Sequence, residues 1–581
     1  MVLSVCGTLR YRMRVTQLRI KNYRSFGSEV KIDVPSSHVV LVGGNNVGKS
    51  TIVSALDLVL GSRSPWRIRM EPDDYFDPKA PIELEATIGE VSPGEKSQLF
   101  SLCSSKKQKG ALSAAENPEV NIAITIPAWE SAGTNEDEGD EDGTAPTKVE
   151  LRVQLWGFTL HRRGDDVRRA LARSIVASPH RRIDADLSAS RWTPYGRLMK
   201  EILESSPEFA DLCRLLDEAN TKVQAAFANQ KQDLLKGARV VSYVDDIEFR
   251  LTEHGNPVEL LRNLEIFVDE GGRRINIDHV GTGTQSAIII GMLELVLRAS
   301  SALVRILCVE EPESFIHPHG IRRLGRLLRE IAEESGVQVL LVSHSPSLVA
   351  TLSPGDVIRV EEEDGESRVY QSRGELGGPH FARYVTADTA EMFFAKRVIL
   401  VEGDTERYLL PSLARLVSVD GIRLDLDRAR ISVIAMGSKD SIVNYLTILD
   451  AFSIDAWAIL DADFLKGSSL RSLLTYLGNR GAKIDDSTES TLRRDLLKEQ
   501  IIVLSKGEIE DYIPDTDVAE ASGKPLDTVR GILASHTKRS SGLKEVFGTG
   551  KPQYAMTLAS YYLSAGKLPS DLERLVRRIA T

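Results

Sequence analysis

Two glutamates follow the end of an apolar run in the segment VILVEGDTERYLL, residues 398–410. The run VILV predicts a buried parallel strand, and such a strand presents the residue after it, Glu402, at the carboxyl edge of a sheet, where open α/β folds bind ligands. Glu406 lies one helical turn later and can face the same point. An alternative is a strand followed by a helix that Asp404 or Thr405 caps, with the acids only favouring the helix dipole. The segment alone leaves both interpretations open.

A second pair of acids ends another apolar run. In AWAILDADF, residues 456–464, Asp461 and Asp463 occupy alternate positions and fall on the same side of an extended segment. If they meet Glu402 at one sheet edge, their charges repel unless cations share the site. Carboxylate oxygens suit Mg²⁺ or Mn²⁺, and ions held there can stabilise the attacking and leaving oxygens of a phosphodiester displacement. Glu402, Asp461 and Asp463 are therefore candidate catalytic metal ligands, with Glu406 as a fourth.

The N-terminal part contains the most specific motif of the chain, VVLVGGNNVGKST, residues 39–51. A strand and a glycine lead through four residues into Gly48, Lys49 and Ser50, which matches a phosphate-binding loop. The glycines let backbone N–H groups surround a polyphosphate, Lys49 reaches the β- and γ-phosphate oxygens, and the Ser50 hydroxyl takes a Mg²⁺ position. ATP binding is therefore predicted. The candidate nucleotide ligands of this loop are Gly43, Asn45, Asn46, Gly48, Lys49, Ser50 and Thr51.

Acids that act on bound ATP are predicted in VRILCVEEPESFIHPHG, residues 304–320. The apolar strand ends in Glu310 and Glu311, at the position of the acids that serve Mg²⁺ and the attacking water in ATPases. We assign Glu310 to the metal and Glu311 to the water. His317 and His319 are two positions apart on a loop and lack partners with ligand spacing, so a zinc site is not expected.

Two further segments indicate the class of ATPase. HVGTGTQSAIII, residues 279–290, places a glycine-rich turn at the start of a helix before the EEPE strand, and LLVSHSPSLV, residues 340–349, ends a strand in His344. In order and spacing, these motifs resemble the ABC-type ATPases of the SMC and RecF class. The resemblance implies that His344 contacts the γ-phosphate. It also implies that a signature group reaches the nucleotide of a partner subunit, so a homodimer is expected. That group is Thr282, Gly283 and Gln285, of which only Gly283 and Gln285 align readily with the transporter signature LSGGQ.

The acidic motifs that follow such an ATPase resemble a Toprim domain. The whole arrangement, from LRIKNYRSF at residues 18–26 to the end of the chain, resembles the OLD (overcoming lysogenization defect) family of ATP-powered nucleases. In that family the Toprim site continues with an acidic stretch and a lysine, which implies metal binding by Glu510 in VLSKGEIEDYIP and catalysis by Lys551 in GKPQYAMTLA. In MGSKDSI, Gly437 and Ser438 form either a phosphate-contacting turn or a strand-to-helix loop.

Composition restricts the class of protein. The 581 residues are 42% hydrophobic and 27% charged, enough for several domains with cores of their own. No apolar run reaches the roughly 18 residues that span a bilayer, and the N-terminus lacks the apolar core of a signal peptide. Four scattered cysteines form no CxxC pair, so a reducing cytoplasm is expected. The net charge of -10 gives no overall nucleic-acid signal, although arginines accumulate between residues 161 and 200.

The pattern along the chain predicts an α/β protein with two parts. An ABC-type ATPase domain occupies residues 1–162 and 238–390, interrupted by a helical insertion at 163–237 that contributes to dimerisation. A Toprim α/β domain follows at 391–581. The stretch SAGTNEDEGDEDGTAPTK, residues 131–148, is acidic and almost free of bulky apolar residues, which predicts a disordered insertion.

The predicted function is an ATP-hydrolysing, metal-dependent DNA endonuclease, with ATP and Mg²⁺ as cofactors and Mn²⁺ as an alternative at the Toprim site. The resemblance implies antiphage defence or DNA repair and does not identify a helicase or other partner protein. A competing interpretation is a recombination or repair ATPase of the SMC and RecF class whose Toprim domain binds nucleic acid without cutting it. A primase is disfavoured because zinc-ribbon cysteines are missing, and a topoisomerase because no tyrosine-bearing domain is recognisable.

Overall fold

The computed structural model of the chain describes residues 13–61, 63–103, 105–129, 149–160, 164–179, 194–226, 266–270, 272–372, 376, 379–419 and 421–580. The insertion predicted at 131–148 lies outside these residues. So does the segment RVVSYVDD, residues 239–246, whose sequence predicts a strand. The described strands form three sheets of four or more strands and two small ribbons.

The strands are numbered in chain order and have the following bounds. They are β1 (Arg14–Lys21), β2 (Val30–Asp33), β3 (His38–Val42), β4 (Ile82–Gly89), β5 (Val120–Ile126), β6 (Glu150–Leu155), β7 (Phe158–Leu160), β8 (Ala172–Ala177), β9 (Phe267–Glu270), β10 (Arg273–Asn276), β11 (Val304–Glu310), β12 (Gln338–Val342), β13 (Val357–Glu363), β14 (Glu366–Gln371), β15 (Arg397–Val401), β16 (Ser418–Val419), β17 (Ile422–Arg423), β18 (Ile431–Ala435), β19 (Asp455–Leu460) and β20 (Ile501–Val503).

Helices cover the sheets. The described helices of eight or more residues are Lys49–Leu60, Pro93–Leu102, Lys106–Ala114, Gly164–Leu171, Pro194–Glu204, Phe209–Ala226, Thr282–Ala299, Pro318–Glu334, Asp404–Ala414, Ile442–Ala451, Ser468–Asn479, Glu489–Lys498, Asp515–Ser522, Leu526–Ser535, Arg539–Phe547, Lys551–Ala565 and Ser570–Ala580. The strongly apolar segment from Ser286 to Leu297, whose sequence predicts a helix, lies within Thr282–Ala299.

The N-terminal part contains two six-stranded sheets. One is antiparallel, with the strand order β2-β1-β4-β5-β6-β7, and the alternating residues of β4 are buried as its sequence predicts. The other has the order β14-β13-β3-β12-β11-β8, and every neighbouring pair from β13 to β8 is parallel. Strands β3 and β12 are buried at each position, which explains their continuous apolar sequences. Because β3, β11 and β12 are neighbours, the motifs that follow them meet at one sheet edge.

Part of the predicted helical insertion is a strand instead. Within that insertion the apolar spacing of LARSIV predicts an amphipathic helical turn, but Ala172–Ala177 forms β8 and pairs in parallel with β11. The β-branched residues Ile175 and Val176 favour a strand, and β11 supplies the backbone partners that a local pattern cannot reveal. Helices do follow at Pro194–Glu204 and Phe209–Ala226.

One arginine of the basic stretch at 161–200 has a structural role. The side chain of Arg168 is fully buried. It donates hydrogen bonds to the backbone carbonyls of Val59 and Gly61 at 3.1 and 2.6 Å and pairs with Asp165 at 2.7 Å. Arg168 therefore satisfies carbonyl groups at the end of the helix Lys49–Leu60 rather than facing a nucleic acid.

The C-terminal part is built on a parallel sheet with the order β18-β15-β19-β20. Its apolar side chains and those of the parallel N-terminal sheet share one core, which includes Val40 and Leu341 of the first sheet and Leu400 and Ile434 of the second. The two parts are therefore packed through continuous apolar contact, which limits their independent motion.

Among the described residues, no helix is both long enough and apolar enough to cross a bilayer.

Candidate nucleotide and metal sites

The loop after β3 has a backbone that only glycine tolerates at its ends. Gly43 has φ 143°, and a Cβ atom there would stand 2.0 Å from the carbonyl oxygen of Val360. Gly48 has φ 102° and precedes the helix Lys49–Leu60. Both values lie in the region that L side chains rarely adopt. The sequence therefore forms the tight turn from strand to helix that a phosphate-binding loop requires.

Lys49 lies inside this loop. It is 5% exposed and donates a hydrogen bond to the carbonyl oxygen of Gly43 at 3.2 Å and another to that of Gly44. Burial lowers the pKa of Lys49 to about 8. The pocket beside the loop is lined by Arg24, Ser25, Asn45, Asn46, Gly48, Lys49, Ser50, Thr51, Pro179, Glu310, Glu311, Val342 and His344. Most of the predicted nucleotide ligands thus share one pocket.

Glu311 stands in a strained backbone conformation at the edge of this pocket. Its φ is 44°, its N–H donates to the carbonyl of Val342 at 2.8 Å, and its carboxylate accepts a hydrogen bond from Ser314 at 3.2 Å. A positive φ costs free energy at a residue other than glycine and is found most often at functional sites. The conformation turns the chain after Glu310, so that both predicted acids line the pocket.

A third acid, Glu313, positions the loop of His344 and is not among the residues predicted from the sequence. Glu313 accepts hydrogen bonds from the Ser343 hydroxyl at 2.9 Å and from the His344 backbone N–H at 2.7 Å. Burial and the charge of Lys49 hold the pKa of His344 below its ordinary value, so its imidazole is neutral at neutral pH. The third acid of EEPE was the available signal for this role.

The predicted signature group is separate from this pocket. Among the described residues, those lining the pocket do not include Thr282, Gly283 or Gln285. Gln285 donates to the carbonyl of Ile277 at 2.9 Å, and a Cβ atom at Gly283 would stand 2.8 Å from the carbonyl oxygen of Phe315. Contact of this group with a partner's nucleotide remains a prediction.

The acids of the C-terminal sheet do meet at one edge. Glu402 follows β15, Asp461 follows the neighbouring β19, and the backbone N–H of Asp461 donates to Oε1 of Glu402 at 3.0 Å. Burial, followed by the charge of Glu402, raises the pKa of Asp461 to about 7. Burial also raises the pKa of Glu402. Among the described residues, Oδ1 of Asp461 is buried and has no hydrogen-bond partner.

Two further acids lie deeper in the site. Glu406 is 4% exposed, and burial and the charge of Glu510 raise its pKa to about 8. Glu510 is 1% exposed and accepts hydrogen bonds from Thr405 at 2.8 Å and Tyr554 at 2.6 Å. The amino group of Lys551 is 3.6 Å from the same Glu510 oxygen. The predicted acids and the predicted lysine therefore share one cluster.

The predicted capping of the helix by Asp404 or Thr405 is wrong, because the N-cap of the helix Asp404–Ala414 is Gly403. The Thr405 hydroxyl bonds Glu510 instead. Asp404 and Glu406 do lie in the first turn, where acids favour the helix dipole. In the MGSKDSI segment, by contrast, Ser438 caps a short 3₁₀ turn by accepting from the Asp440 N–H at 3.2 Å, as the strand-to-helix interpretation expects.

Three family models match the chain. The model described as AAA ATPase domain matches residues 13–244, and that of the AAA domain, putative AbiEii toxin, Type IV TA system, matches residues 156–350. The model of the overcoming lysogenization defect protein-like Toprim domain matches residues 393–463, which hold Glu402 and both aspartates of the DxD pair. The chain joins an AAA-type ATPase domain to an OLD-like Toprim domain. The predicted α/β fold class and the resemblance to the OLD family are confirmed.

Relatives support the same arrangement. The OLD nuclease of Thermus scotoductus is 25% identical over 470 residues, which cover 77% of this chain and 81% of that protein. The chromosome partition protein Smc of Bordetella petrii is 42% identical over 59 residues, or 10% of this chain and 5% of that protein.

Solved structures give weaker matches. The SMC head domain from Thermotoga maritima covers 62% of this chain and 99% of its own at 16% identity and a TM-score of 0.32. The C-terminal region of the Xanthomonas campestris OLD protein covers 33% of this chain and 94% of its own, at 19% identity and a TM-score of 0.25. At scores this low, the fold assignment rests on the sheet topology and on the matched families.

Two lysines that are not among the predicted site residues lie beside carboxylates of the Toprim domain. Lys439 lies 3.0 Å from Asp463, and Lys538 lies 3.2 Å from Glu508. The hydrogen bond with Glu508 raises the pKa of Lys538, so it stays charged. The MGSKDSI segment drew attention to Gly437 and Ser438 but not to its lysine, and nothing in the local sequence distinguishes Lys538.

The donors of the Toprim site match a hard divalent cation in chemical type. All are carboxylates, and the unpartnered buried Oδ1 atom of Asp461 is the kind of oxygen that such an ion satisfies. Within the described ranges, no three His, Cys, Asp or Glu side chains are placed to hold one ion. A bound cation would therefore have to draw the carboxylates together and displace the protons that burial, and after it the charge of neighbouring carboxylates, favours on Asp461 and Glu406.

Proposed function

We propose that the chain is an ATP-hydrolysing, metal-dependent DNA endonuclease of the OLD type, working as a homodimer in antiphage defence or DNA repair. The observation that carries the proposal is the hydrogen bond between Glu402 and the Asp461 backbone, beside a buried carboxylate oxygen of Asp461 that has no partner within the described part of the chain. Carboxylates from two strands, fixed at one edge of a Toprim sheet, support cation binding. The name of the Thermus relative, OLD nuclease, supports phosphodiester cleavage as the reaction.

The acids of the Toprim site would have different roles, according to where they lie. Glu402, Asp461, Asp463 and Glu406 would hold Mg²⁺ or Mn²⁺, which supply an activated water and stabilise the oxygens of the displacement. Burial of Glu406, and after it the charge of Glu510, which Thr405 and Tyr554 hold in place, raises the pKa of Glu406 to about 8 and keeps a proton on it near neutral pH. Deprotonation of Glu406 then accompanies cation binding.

Basic side chains in the same site would bind the DNA backbone. Burial acts to lower the pKa of Lys551, but the charges of the neighbouring carboxylates, Glu510 foremost, outweigh burial and raise this pKa above its ordinary value. Lys551 is therefore charged. Lys439 carries a second positive charge beside Asp463. An ammonium group next to the cleaved phosphate stabilises charge that develops on the phosphate oxygens in the transition state.

The ATPase domain would use the residues gathered after β3, β11 and β12. Lys49 would exchange its carbonyl contacts for the β- and γ-phosphates, while Ser50 and Glu310 hold Mg²⁺. Glu311 would orient the attacking water. The neutral imidazole of His344 would donate a hydrogen bond to the γ-phosphate without adding charge.

Cleavage of supercoiled plasmid in Mg²⁺ and in Mn²⁺ tests the proposal. The wild-type protein should convert plasmid to nicked or linear DNA, and Asp461→Asn should not. Asp486→Asn is the matched control, because Asp486 is an exposed carboxylate in the same domain. A wild-type protein that binds DNA but leaves it intact in both metals would favour the alternative of an SMC-like ATPase with a non-cutting Toprim domain, for which the short Smc match is the specific observation.

The biological role needs a separate measurement. Plating efficiency of phage and survival after DNA damage, compared between cells with wild-type protein and cells with Asp461→Asn, separate defence from repair. If neither changes, the proposed roles are wrong even when cleavage occurs.

A further inference from the structure

Arg430 belongs to the Toprim domain but bonds to the ATPase domain. It directly precedes β18, and its guanidinium donates to both oxygens of Glu361 in β13, at 2.8 and 3.0 Å. Glu361 is 5% exposed. A two-point contact between arginine and a buried carboxylate is strong and fixes the plane of the guanidinium. The pair therefore sets the position of Arg430 relative to β13, the strand beside β3.

The face of this guanidinium covers the phosphate-binding loop. A Cβ atom built on Gly44 would stand 3.2 Å from Cζ, Nη1 and Nη2 of Arg430 alike. Equal distances to three atoms of one planar group mean that Gly44 lies against its flat side. A residue larger than glycine would press on the guanidinium, so the loop and the Toprim domain constrain each other at this point.

Neighbouring bonds hold the contact rigid. Arg359 is 2% exposed, donates to Glu361 at 2.8 Å and bonds the carbonyls of Ala395 and Phe452 at 3.1 Å each. These carbonyls lie just before the Toprim strands β15 and β19. The two terminal nitrogens of Arg359 thus bond three acceptors, which fixes the guanidinium although its buried Nε has no hydrogen-bond partner among the described residues.

The backbone of Arg430 is also constrained. Its φ is 54°, its side chain donates to the Phe394 carbonyl at 3.0 Å, and its own carbonyl accepts from the Lys396 N–H at 2.8 Å. A non-glycine residue keeps a positive φ only where its surroundings enforce it. The Toprim domain therefore stabilises an unfavourable backbone conformation at the residue that contacts Gly44.

Nucleotide binding must change the peptide that Arg430 covers. Lys49 donates to the carbonyl of Gly44, and it has to leave that oxygen to reach the phosphates. The Gly44 peptide then loses a cationic partner while its neighbours turn their N–H groups to the ligand. A flat cation fixed over this peptide limits the positions that the peptide can adopt.

We propose that Arg430 is a positioning residue of the nucleotide site, supplied by the Toprim domain. It acts through Gly44 and does not itself contact the nucleotide. The proposal rests on nucleotide binding at the loop and is independent of DNA cleavage. It assigns the docked Toprim domain a part in ATP binding, since Glu361 and the carbonyl of Phe394 hold Arg430 in place from both domains.

Titration with a fluorescent ATP analogue and steady-state ATPase rates test this role. Arg430→Ala should weaken ATP binding about tenfold, within the range of couplings between contacting residues, and raise KM much more than it lowers kcat. Arg430→Lys should not restore affinity, because an ammonium group lacks the flat two-point fork. Arg428→Ala is the control, since Arg428 is an exposed neighbour in the same loop. Wild-type affinity in folded Arg430→Ala overturns the proposal.

A second variant keeps the test decisive if Arg430→Ala does not fold. Gly44→Ala introduces the Cβ atom against the guanidinium and should weaken ATP binding, and the loss should be smaller in the Arg430→Ala background when that protein is folded. Unchanged affinity in Gly44→Ala, or losses that simply multiply in the double variant, overturns the proposal. If the wild-type protein binds ATP no better than Lys49→Ala does, the assignment of the nucleotide site itself is wrong. That outcome differs from failure of the Arg430 proposal, in which the wild-type protein still binds ATP.

Discussion

The backbone N–H of Asp461 donates a hydrogen bond to Oε1 of Glu402 at 3.0 Å, although the two residues are far apart in the chain. The bond joins the ends of neighbouring parallel strands, β15 and β19. It brings together two acidic motifs that the sequence presents separately. Burial, with the charges of neighbouring carboxylates adding to it, raises the pKa values of both residues.

The first prediction concerns these acids. Asp461→Asn and Glu402→Gln should each lower plasmid cleavage by at least about 100-fold, because a bound cation loses a charged ligand. ATP hydrolysis should persist. Melting temperature checks that the variants are folded. Near-wild-type cleavage by a folded Asp461→Asn protein would remove the nuclease assignment from this site.

The second prediction separates binding of ATP from its hydrolysis. Lys49→Ala should abolish nucleotide binding, since the loop loses its only buried cation among the described lining residues. Glu311→Gln should bind ATP and hydrolyse it slower by orders of magnitude, because orientation of the attacking water dominates this chemistry. Titration with a fluorescent ATP analogue and phosphate release measure the two steps. A wild-type hydrolysis rate in Glu311→Gln contradicts the assignment of that acid.

The third prediction is a pH dependence of ATP binding. Burial lowers the pKa of Lys49 from 10.5 to about 8 in the nucleotide-free protein. Between these two pH values the folded protein binds fewer protons than the unfolded chain, so its stability rises with pH in that window. Bound phosphates favour the charged amine, and ATP affinity should therefore fall as pH rises above about 8.

Calorimetry checks this prediction. At pH 9, ATP binding should be accompanied by proton uptake, which is measured by comparing the binding enthalpy in two buffers of different ionisation enthalpy. Lys49→Arg is the control, because arginine stays charged there. An affinity that is equal at pH 7 and pH 9 in the wild-type protein contradicts the predicted titration.

The fourth prediction concerns Lys439, which lies beside Asp463 in the Toprim site. Its ion pair with Asp463 is partly exposed, so Lys439→Ala should change the free energy of unfolding by no more than about 0.5–1 kcal/mol. Plasmid cleavage should nevertheless fall about tenfold or more, because a charge beside the phosphate is lost. Lys439→Arg should retain more activity than the alanine variant. Unfolding by urea and cleavage rates provide the comparison, and an equal loss in both variants would contradict a charge-based role.

The fifth prediction is dimerisation. The signature group lies outside the nucleotide pocket of its own chain, so a second copy would have to supply it. Light scattering should show a dimer or a larger even-numbered assembly, stabilised by ATP in the Glu311→Gln protein. A monomer under every condition would remove the role of Thr282, Gly283 and Gln285 on a partner's nucleotide.

Local sequence was sufficient to predict those structural features that a single short segment forms by itself. The glycines around Lys49 require a tight strand-to-helix turn, and apolar runs that stop at Glu310, Glu402 and Asp461 require strands with acids at their carboxyl ends. The fold class and the resemblance to OLD proteins followed from the order of these segments. Such features depend on neighbouring residues, so periodicity and turn chemistry reveal them.

Only the tertiary structure decided which distant residues meet. The strand β8 needed the open edge of β11, which overrode the helical pattern assigned to LARSIV. Three side-chain contacts join segments whose sequences give no sign that they meet. They are the contacts of Tyr554 with Glu510, of Lys439 with Asp463 and of Arg430 with Gly44. Side-chain contacts of this kind depend on how sheets and helices pack, because packing sets orientation and distance over the whole chain.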